Sequence, residues 1–248
     1  MNSLAASIHG RYQQTLDRIA AAERASGRAP GATRLVVVTK SQPLEVVRAA
    51  LEAGVKILGE NYAEEAIAKM DALGPRPGLE WHMIGHVQSR KADLIPANFS
   101  LMHSLDSLKL ANRLDRFAGE RGVTLPVLLE FNVGGEVSKY GWWVVNELQW
   151  PNLLPEVEAV LKLGHLSVRG LMTMPPLEED PQKTRPYFER LRRLRGYLAE
   201  RFPQAEWSEL SMGTSADFEA AVAEGATLVR VGTAILGPRP PKVENDAR

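Results

Sequence analysis

The chain predicts an α/β fold, a (β/α)8 TIM-type barrel preceded by one extra helix. Three observations predict it. Eight short β-branched or apolar runs alternate with helical patterns from residue 34 to residue 231. The length, 248 residues, suits one barrel of about 250 residues. No linker-like stretch divides the chain, so residues 1–237 are expected to form one domain and 238–248 a solvated, flexible tail.

The elements follow in order. Leu4, Ile8, Tyr12, Leu16 and Ile19 recur at helical spacing and predict the opening helix. Gly27, Pro30 and Gly31 break it. Arg34–Thr39, a β-branched run, is the first strand, and Pro43–Ala53 is a helix closed by Gly54. Val55–Gly59 is the second strand and Tyr62–Leu73 its helix. Six more strands are predicted at Glu80–Ile84, Phe99–His103, Pro126–Asn132, Val168–Thr173, Trp207–Ser211 and Thr227–Val231. The clearest helices between them are Ser107–Arg121, Pro155–Leu163, Pro181–Phe202 and Ser215–Glu224. A doubly wound open sheet is the architectural alternative.

Composition removes several function classes. A formal net charge of +0 supplies no field to gather nucleic acid or an anionic membrane. The absence of cysteine excludes disulfides, thiolate metal sites and cysteine nucleophiles. The N-terminal segment has no apolar core of a secretory signal, and no apolar run approaches membrane-spanning length. A cytoplasmic protein is expected, with neither nucleic acid nor membrane as partner.

In a barrel, chemistry gathers at the C-terminal ends of the strands, and the polar residues of this chain fall there. Lys40 ends strand one, Glu60 and Asn61 end strand two, and His82 and His86 bracket the end of strand three. Ser104 and Asp106 follow strand four, Asn132 ends strand five, and Met172 and Met174 end strand six. Ser211 ends strand seven, and Arg230 with Gly232-Thr233 ends strand eight. Lys40 leaves a buried strand, which should lower its pKa and favour the neutral amine that attacks an aldehyde. A lysine that only snorkels to solvent would occupy the same place, and position alone leaves the two readings level.

Two loops shift that balance. Thr214 or Ser215 can cap a helix after strand seven, and Gly232-Thr233 opens another after strand eight. Helix N-termini bind phosphate, and these two loops are the recurrent phosphate site of barrels. Ordinary capping is the commoner fate of either segment alone. Both together, opposite a strand-one lysine, suggest a phosphorylated aldehyde. Other signals are weaker. His82 and His86 lie on a strand-to-loop segment with no third ligand, so no metal is expected. The basic stretch after Arg185 has Phe188, Leu191, Leu194, Leu198 and Phe202 on one face, which predicts an outer helix. Trp142, Trp143 and Trp150 are expected to be satellite packing, with a lid or partner patch as alternatives.

The chain resembles the pyridoxal phosphate homeostasis protein family (YggS/PROSC, PLP-binding protein). The resemblance rests on LVVVTK ending at Lys40, GENY at 59–62, WHMIGHVQ at 81–88 and HSLD at 103–106. It continues through GEVSKYG at 135–141, RGLM at 169–172, SMGTSADFEA at 211–220 and VRVGTAILG at 229–237. It implies a fold type III PLP barrel, similar to the N-terminal domain of alanine racemase, with pyridoxal 5'-phosphate as the cofactor. It implies that Lys40 carries the cofactor as an internal aldimine, or Schiff base. Asn61 then matches the asparagine near the ring, and Arg230 the arginine near the cofactor. Ser211, Gly232 and Thr233 match phosphate contacts, with Met212 and Gly213 beside them, and His82 matches a residue lining the pocket. Thr39-Lys40-Ser41 and Thr214 depart from the family's usual residues but keep small or hydroxyl chemistry. Trp142–Asn152 is bulkier than the family pattern.

The same resemblance implies a non-catalytic role in storing and delivering PLP and in amino-acid/keto-acid balance. PLP-dependent apo-enzymes are possible recipients, and a monomer is expected. An arginine beside the pyridine nitrogen would weaken the ring as an electron sink, and racemisation needs a second base opposite the lysine. No second domain is expected to supply that base, and no catalytic residue is assigned. The alternatives are a vestigial PLP-dependent racemase or decarboxylase, a class I aldolase-type barrel using Lys40 on a sugar phosphate, and a scaffold with an empty barrel.

Overall fold

The computed structural model describes residues 2–239. Helix α1 (Ser3–Ala25) comes first, its N-terminus capped by the Asn2 side chain on the Ala5 N–H at 2.8 Å. The chain then runs β1 (Arg34–Val38), α2 (Leu44–Glu52), β2 (Ile57–Glu60), α3 (Ala63–Leu73), β3 (Glu80–Met83), β4 (Leu101–Leu105), α4 (Leu108–Glu120) and β5 (Leu125–Asn132). A two-residue strand, β6 (Trp142–Trp143), precedes α5 (Leu154–Leu161), β7 (Leu166–Met172), α6 (Arg185–Arg201), β8 (Glu209–Ser211), α7 (Phe218–Ala223), β9 (Leu228–Val231) and α8 (Thr233–Leu236). Short 3-10 turns occupy Ser89–Leu94, Glu147–Leu153 and Pro181–Thr184.

Eight of the strands form a closed parallel barrel. The order is β4-β3-β2-β1-β9-β8-β7-β5, and a β4–β5 pairing joins the two ends. That pairing rules out the open doubly wound sheet. The short β6 pairs only with the end of β5, Phe131 opposite Trp142, and lies off the barrel. The expected strands match in number and kind, but the fourth lies two residues later than predicted. This shift places His103 and Ser104 within β4 rather than at its exit. Of the expected tail at 238–248, residues 240–248 lie outside the described residues.

Alternation along each strand sorts side chains into two cores. Val36, Leu101, Leu128, Met172 and Leu228 form a small apolar layer distinct from the main cluster, the layer inside the barrel. The larger cluster, including Leu35, Val37, Leu58, Val127, Leu129, Val229 and Val231, packs the strands' outer faces against the helices. The period of two has a consequence for β1. Val38 points inward, Thr39 outward, and the next inward position belongs to Lys40.

Candidate functional site

A cavity of about 720 Å³ opens at the C-terminal ends of the strands, within the usual size range of small-molecule sites. Lys40 reaches it from the turn after β1, Asn61 and Tyr62 from the β2 exit, and Gly85 and His86 from the β3 exit. Glu130 enters from β5, directly across the ring of strands from β1. Thr214, Ser215 and Ala216 enter after β8, with Arg230, Gly232 and Thr233 at β9.

Lys40 is held by its neighbours' contacts and not by its own. Thr39, facing outward, donates its hydroxyl to Glu60 Oε1 at 2.7 Å. The Lys69 ammonium donates to the Thr39 carbonyl, Glu60 Oε1 and Glu65 Oε1, each at 2.7 Å. Glu65 Oε1 also accepts the Ser41 N–H at 2.7 Å. Ser41 has φ 57°, a left-handed conformation uncommon outside glycine. The turn is thus fixed on both sides of Lys40. Among the described residues, the Lys40 ammonium has no hydrogen-bonded partner. Burial, then the nearby cations of Arg239 and Arg230, push its pKa below the ordinary lysine range, against the opposing pull of Glu60.

Arg230 is held by its side chain. Its guanidinium donates to Ser211 Oγ at 2.5 Å, to the Thr173 carbonyl at 2.9 Å and to Met174 Sδ at 2.8 Å. Burial lowers its pKa to about 10 despite Glu130 and Asp217, so it remains cationic at neutral pH. Glu130 is nearly enclosed, and burial followed by the Asp106 charge raises it to about 7, against Arg230 and Lys139.

The two loops after β8 and β9 meet as expected. Ser215 Oγ accepts the Gly232 N–H at 3.4 Å. A side chain on Gly232 would stand 3.2 Å from Val38, so glycine lets this backbone close on β1. The cap of α7 differs from expectation. Neither Thr214 nor Ser215 is its cap: Asp217 holds that position, and its carboxylate accepts the Thr214 N–H at 2.7 Å. The N–H groups of Ser215 and Ala216 have no acceptor among the described residues.

Five of the nine residues expected from the sequence line the cavity together: Lys40, Asn61, Arg230, Gly232 and Thr233. The other four lie behind its wall. His82 is buried in the barrel interior against His103, because its strand position points inward one layer below the rim. Ser211 carries Arg230 from below. Met212 is fully buried in the outer core. Gly213 has φ 91°, and a side chain there would meet Ala221 at 2.6 Å, so it serves the packing of α7. The sequence reading missed Lys69, Glu65, Glu130 and His103. Two were detectable: Lys69 lies on the apolar stripe of Ala66 and Leu73, and Glu130 interrupts the apolar run of β5. No cluster able to hold a metal ion occurs among the described residues. Nor is any described helix long and apolar enough to cross a membrane.

Trp142 and Trp150 are buried, bonding to Glu156 and to the Val144 carbonyl. Trp143 is 55% exposed and is not part of the cavity wall.

Comparison with known proteins defines the class first. Residues 15–240 match the family described as Alanine racemase, N-terminal domain. A pyridoxal phosphate homeostasis protein of Aquifex aeolicus is 40% identical over 229 residues, spanning 92% of this chain and 97% of its own. One of Pseudomonas aeruginosa is 42% identical over 226 residues, spanning 90% and 91%. The structure of PipY from Synechococcus elongatus with PLP bound is 35% identical, with a TM-score of 0.77 over 93% of this chain and all of its own. The chain belongs to the pyridoxal phosphate homeostasis protein family.

Proposed function

We propose that the cavity binds pyridoxal 5'-phosphate with Lys40 as its covalent anchor, and that the protein stores and delivers this cofactor. The observation that carries the reading is Lys40 itself: a partly buried ammonium with no hydrogen-bonded partner among the described residues, facing the paired loops across one cavity. The residues present suit the group. Unengaged N–H groups at Ser215 and Ala216 and the close-packed Gly232 backbone form a cradle for a phosphate. Asn61 Oδ1 is buried in the wall without a partner among the described residues, an acceptor available to a ligand's donor. When bound, the cofactor supplies an aldehyde that a neutral amine condenses with, releasing water.

Each residue then has a role. Lys40, its pKa lowered by burial, offers the amine. Thr214–Ala216, Gly232 and Thr233 hold the phosphate. Asn61 orients the ring's polar edge, and Arg230 keeps a fixed positive charge in the wall. A second positive charge on a ring beside Arg230 is disfavoured, which supports a holding role over catalysis. The relatives' names support homeostasis, and we infer PLP-dependent apo-enzymes as the recipients.

The purified protein mixed with PLP should show a visible absorbance band that borohydride bleaches, with the added mass on the Lys40 peptide. Lys40→Ala should lose both. A colourless adduct, or label on another lysine, overturns the assignment. Racemisation of a common amino acid by the loaded protein, lost in Lys40→Ala, overturns the carrier role and would require Glu130 as a candidate opposing base.

A further inference from the structure

Beneath Arg230 a line of hydrogen bonds runs through the barrel to its opposite end. Arg230 Nη1 lies 2.5 Å from Ser211 Oγ, and Ser211 Oγ lies 2.7 Å from His103 Nδ1. His103 Nε2 lies 3.0 Å from His82 Nδ1, and His82 Nε2 lies 3.1 Å from Glu80 Oε2. The three middle residues are buried, while the Glu80 side chain is 46% exposed at the start of β3. The line therefore connects the cavity with the solvent at the far mouth of the barrel.

For neutral imidazoles its two ends permit one direction. Arg230 can only donate, and a Glu80 carboxylate can only accept. With both imidazoles neutral, every link is filled if the hydrogens point outward from the cavity. Arg230 donates to Ser211, Ser211 to His103 Nδ1, His103 Nε2–H to His82 Nδ1, and His82 Nε2–H to Glu80. Both rings are then Nε2–H tautomers. Were His103 the other tautomer, its Nδ1–H would point at Ser211 and displace the hydroxyl hydrogen from that link. Full burial, then His82, Arg230 and Arg34, hold the His103 pKa well below the usual histidine range. The hydrogen bond from His82 holds Glu80 below the usual carboxylate range. Both shifts agree with a neutral His103 and an ionised Glu80.

We propose that Glu80 is a remote positioning residue for Arg230: its carboxylate fixes the tautomers of His82 and His103, and so sets Ser211 Oγ as the acceptor that seats the guanidinium in the cavity wall. Glu80 touches nothing in the cavity, and Ser211 and Glu80 share no direct contact in the line. Unlinked sites so separated should act additively, whereas a relay makes them depend on one another. The binding arm of the test rests on the proposed PLP reading, and the tautomer arm does not.

The test uses the full chain with ¹⁵N-labelled histidine. Long-range ¹H–¹⁵N spectra should show neutral Nε2–H tautomers at both His82 and His103. In Glu80→Gln, whose amide accepts or donates, both rings should move toward mixed tautomers. A charged or Nδ1–H His103 in the parent protein overturns the relay, as does a His103 signal unmoved by Glu80→Gln. In the binding arm, Glu80→Gln and Ser211→Ala should each weaken PLP about 3–10-fold, the value of one hydrogen bond. The double variant should be no weaker than Ser211→Ala alone. Multiplying effects overturn the proposal. Should the parent protein bind no PLP, the function assigned to the cavity falls, and the tautomer spectra alone decide the relay.

Discussion

Two of the cations that line the cavity, Lys40 and Arg230, are held in opposite ways. Under β1 the support is ionic: Lys69, Glu60 and Glu65 grip the backbone and hydroxyl on either side of Lys40 and leave its amine alone. Under β9 the support is uncharged: Ser211, a carbonyl and a thioether grip the guanidinium itself. The difference follows from what each group must do. An amine that is to form and break a bond needs its lone pair uncommitted, so order must come from the main chain. A guanidinium that acts only through its charge loses nothing by being bonded.

The ionic support is the one most easily broken. Lys69→Met leaves Glu60 and Glu65 facing each other without their shared cation, Glu60 with no exposed side-chain surface. Removing one partner of a buried pair typically costs about 3–5 kcal/mol. Urea unfolding at neutral pH should show that loss, with borohydride-fixed PLP on Lys40 reduced in parallel. A loss below about 1 kcal/mol, the scale of a surface pair, would mean that the ionic network does not organise the turn.

Glu130 sharpens the comparison, because it is a carboxyl in the same wall with neither kind of support. Its pKa rises from 4.5 to about 7, so the folded state binds its proton more tightly than the unfolded state does. Stability therefore falls as pH rises from about 4.5 to about 7, and the full cost, on the order of 3 kcal/mol, is present above that window. Glu130→Gln resembles the protonated acid at every pH. It should leave the unfolding midpoint unchanged near pH 4 and raise it at pH 8 by an amount approaching that cost. Equal gains at both pH values would show that the carboxyl does not titrate in this window.

These supports mark how far the sequence could be read. The barrel was legible because β-branched runs and helical stripes alternate at regular spacing, and Lys40 because it follows five strand residues ending at Thr39. The paired glycine and hydroxyl loops after β8 and β9 were legible for the same local reason. What escaped depends on contacts between residues distant in the chain. Lys69 stands out on the buried stripe of α3, but its partner Glu60 lies on another element, and Glu65 one turn earlier could pair with it in any helix. His103 shifted from strand end to strand interior once the fourth strand moved by two residues, and its partner Ser211 is 108 positions away. Of the three tryptophans read as a cluster, Trp142 and Trp150 are packing and Trp143 is exposed, and the alternation of Trp142 and Trp143 follows from β6 pairing with β5.

Ser41 offers the smallest and most local test of the ionic support. Its φ of 57° places a side chain where L-residues lose about 1–2 kcal/mol, and the Glu65 bond to its N–H holds it there. Ser41→Gly removes that steric cost but adds about 0.5–1 kcal/mol of unfolded-state entropy. The net change should be a gain between about 0 and 1.5 kcal/mol by those two figures. Ser41→Val, β-branched in the same conformation, should lose about 1–3 kcal/mol instead. The gap between the two variants measures how rigidly the turn is imposed. In a Lys69→Met background that gap should shrink, because Glu65 no longer shares its oxygen with an ammonium and the turn can relax to negative φ. A gap that stays constant would place the constraint in the β1–β2 pairing and not in the ionic network.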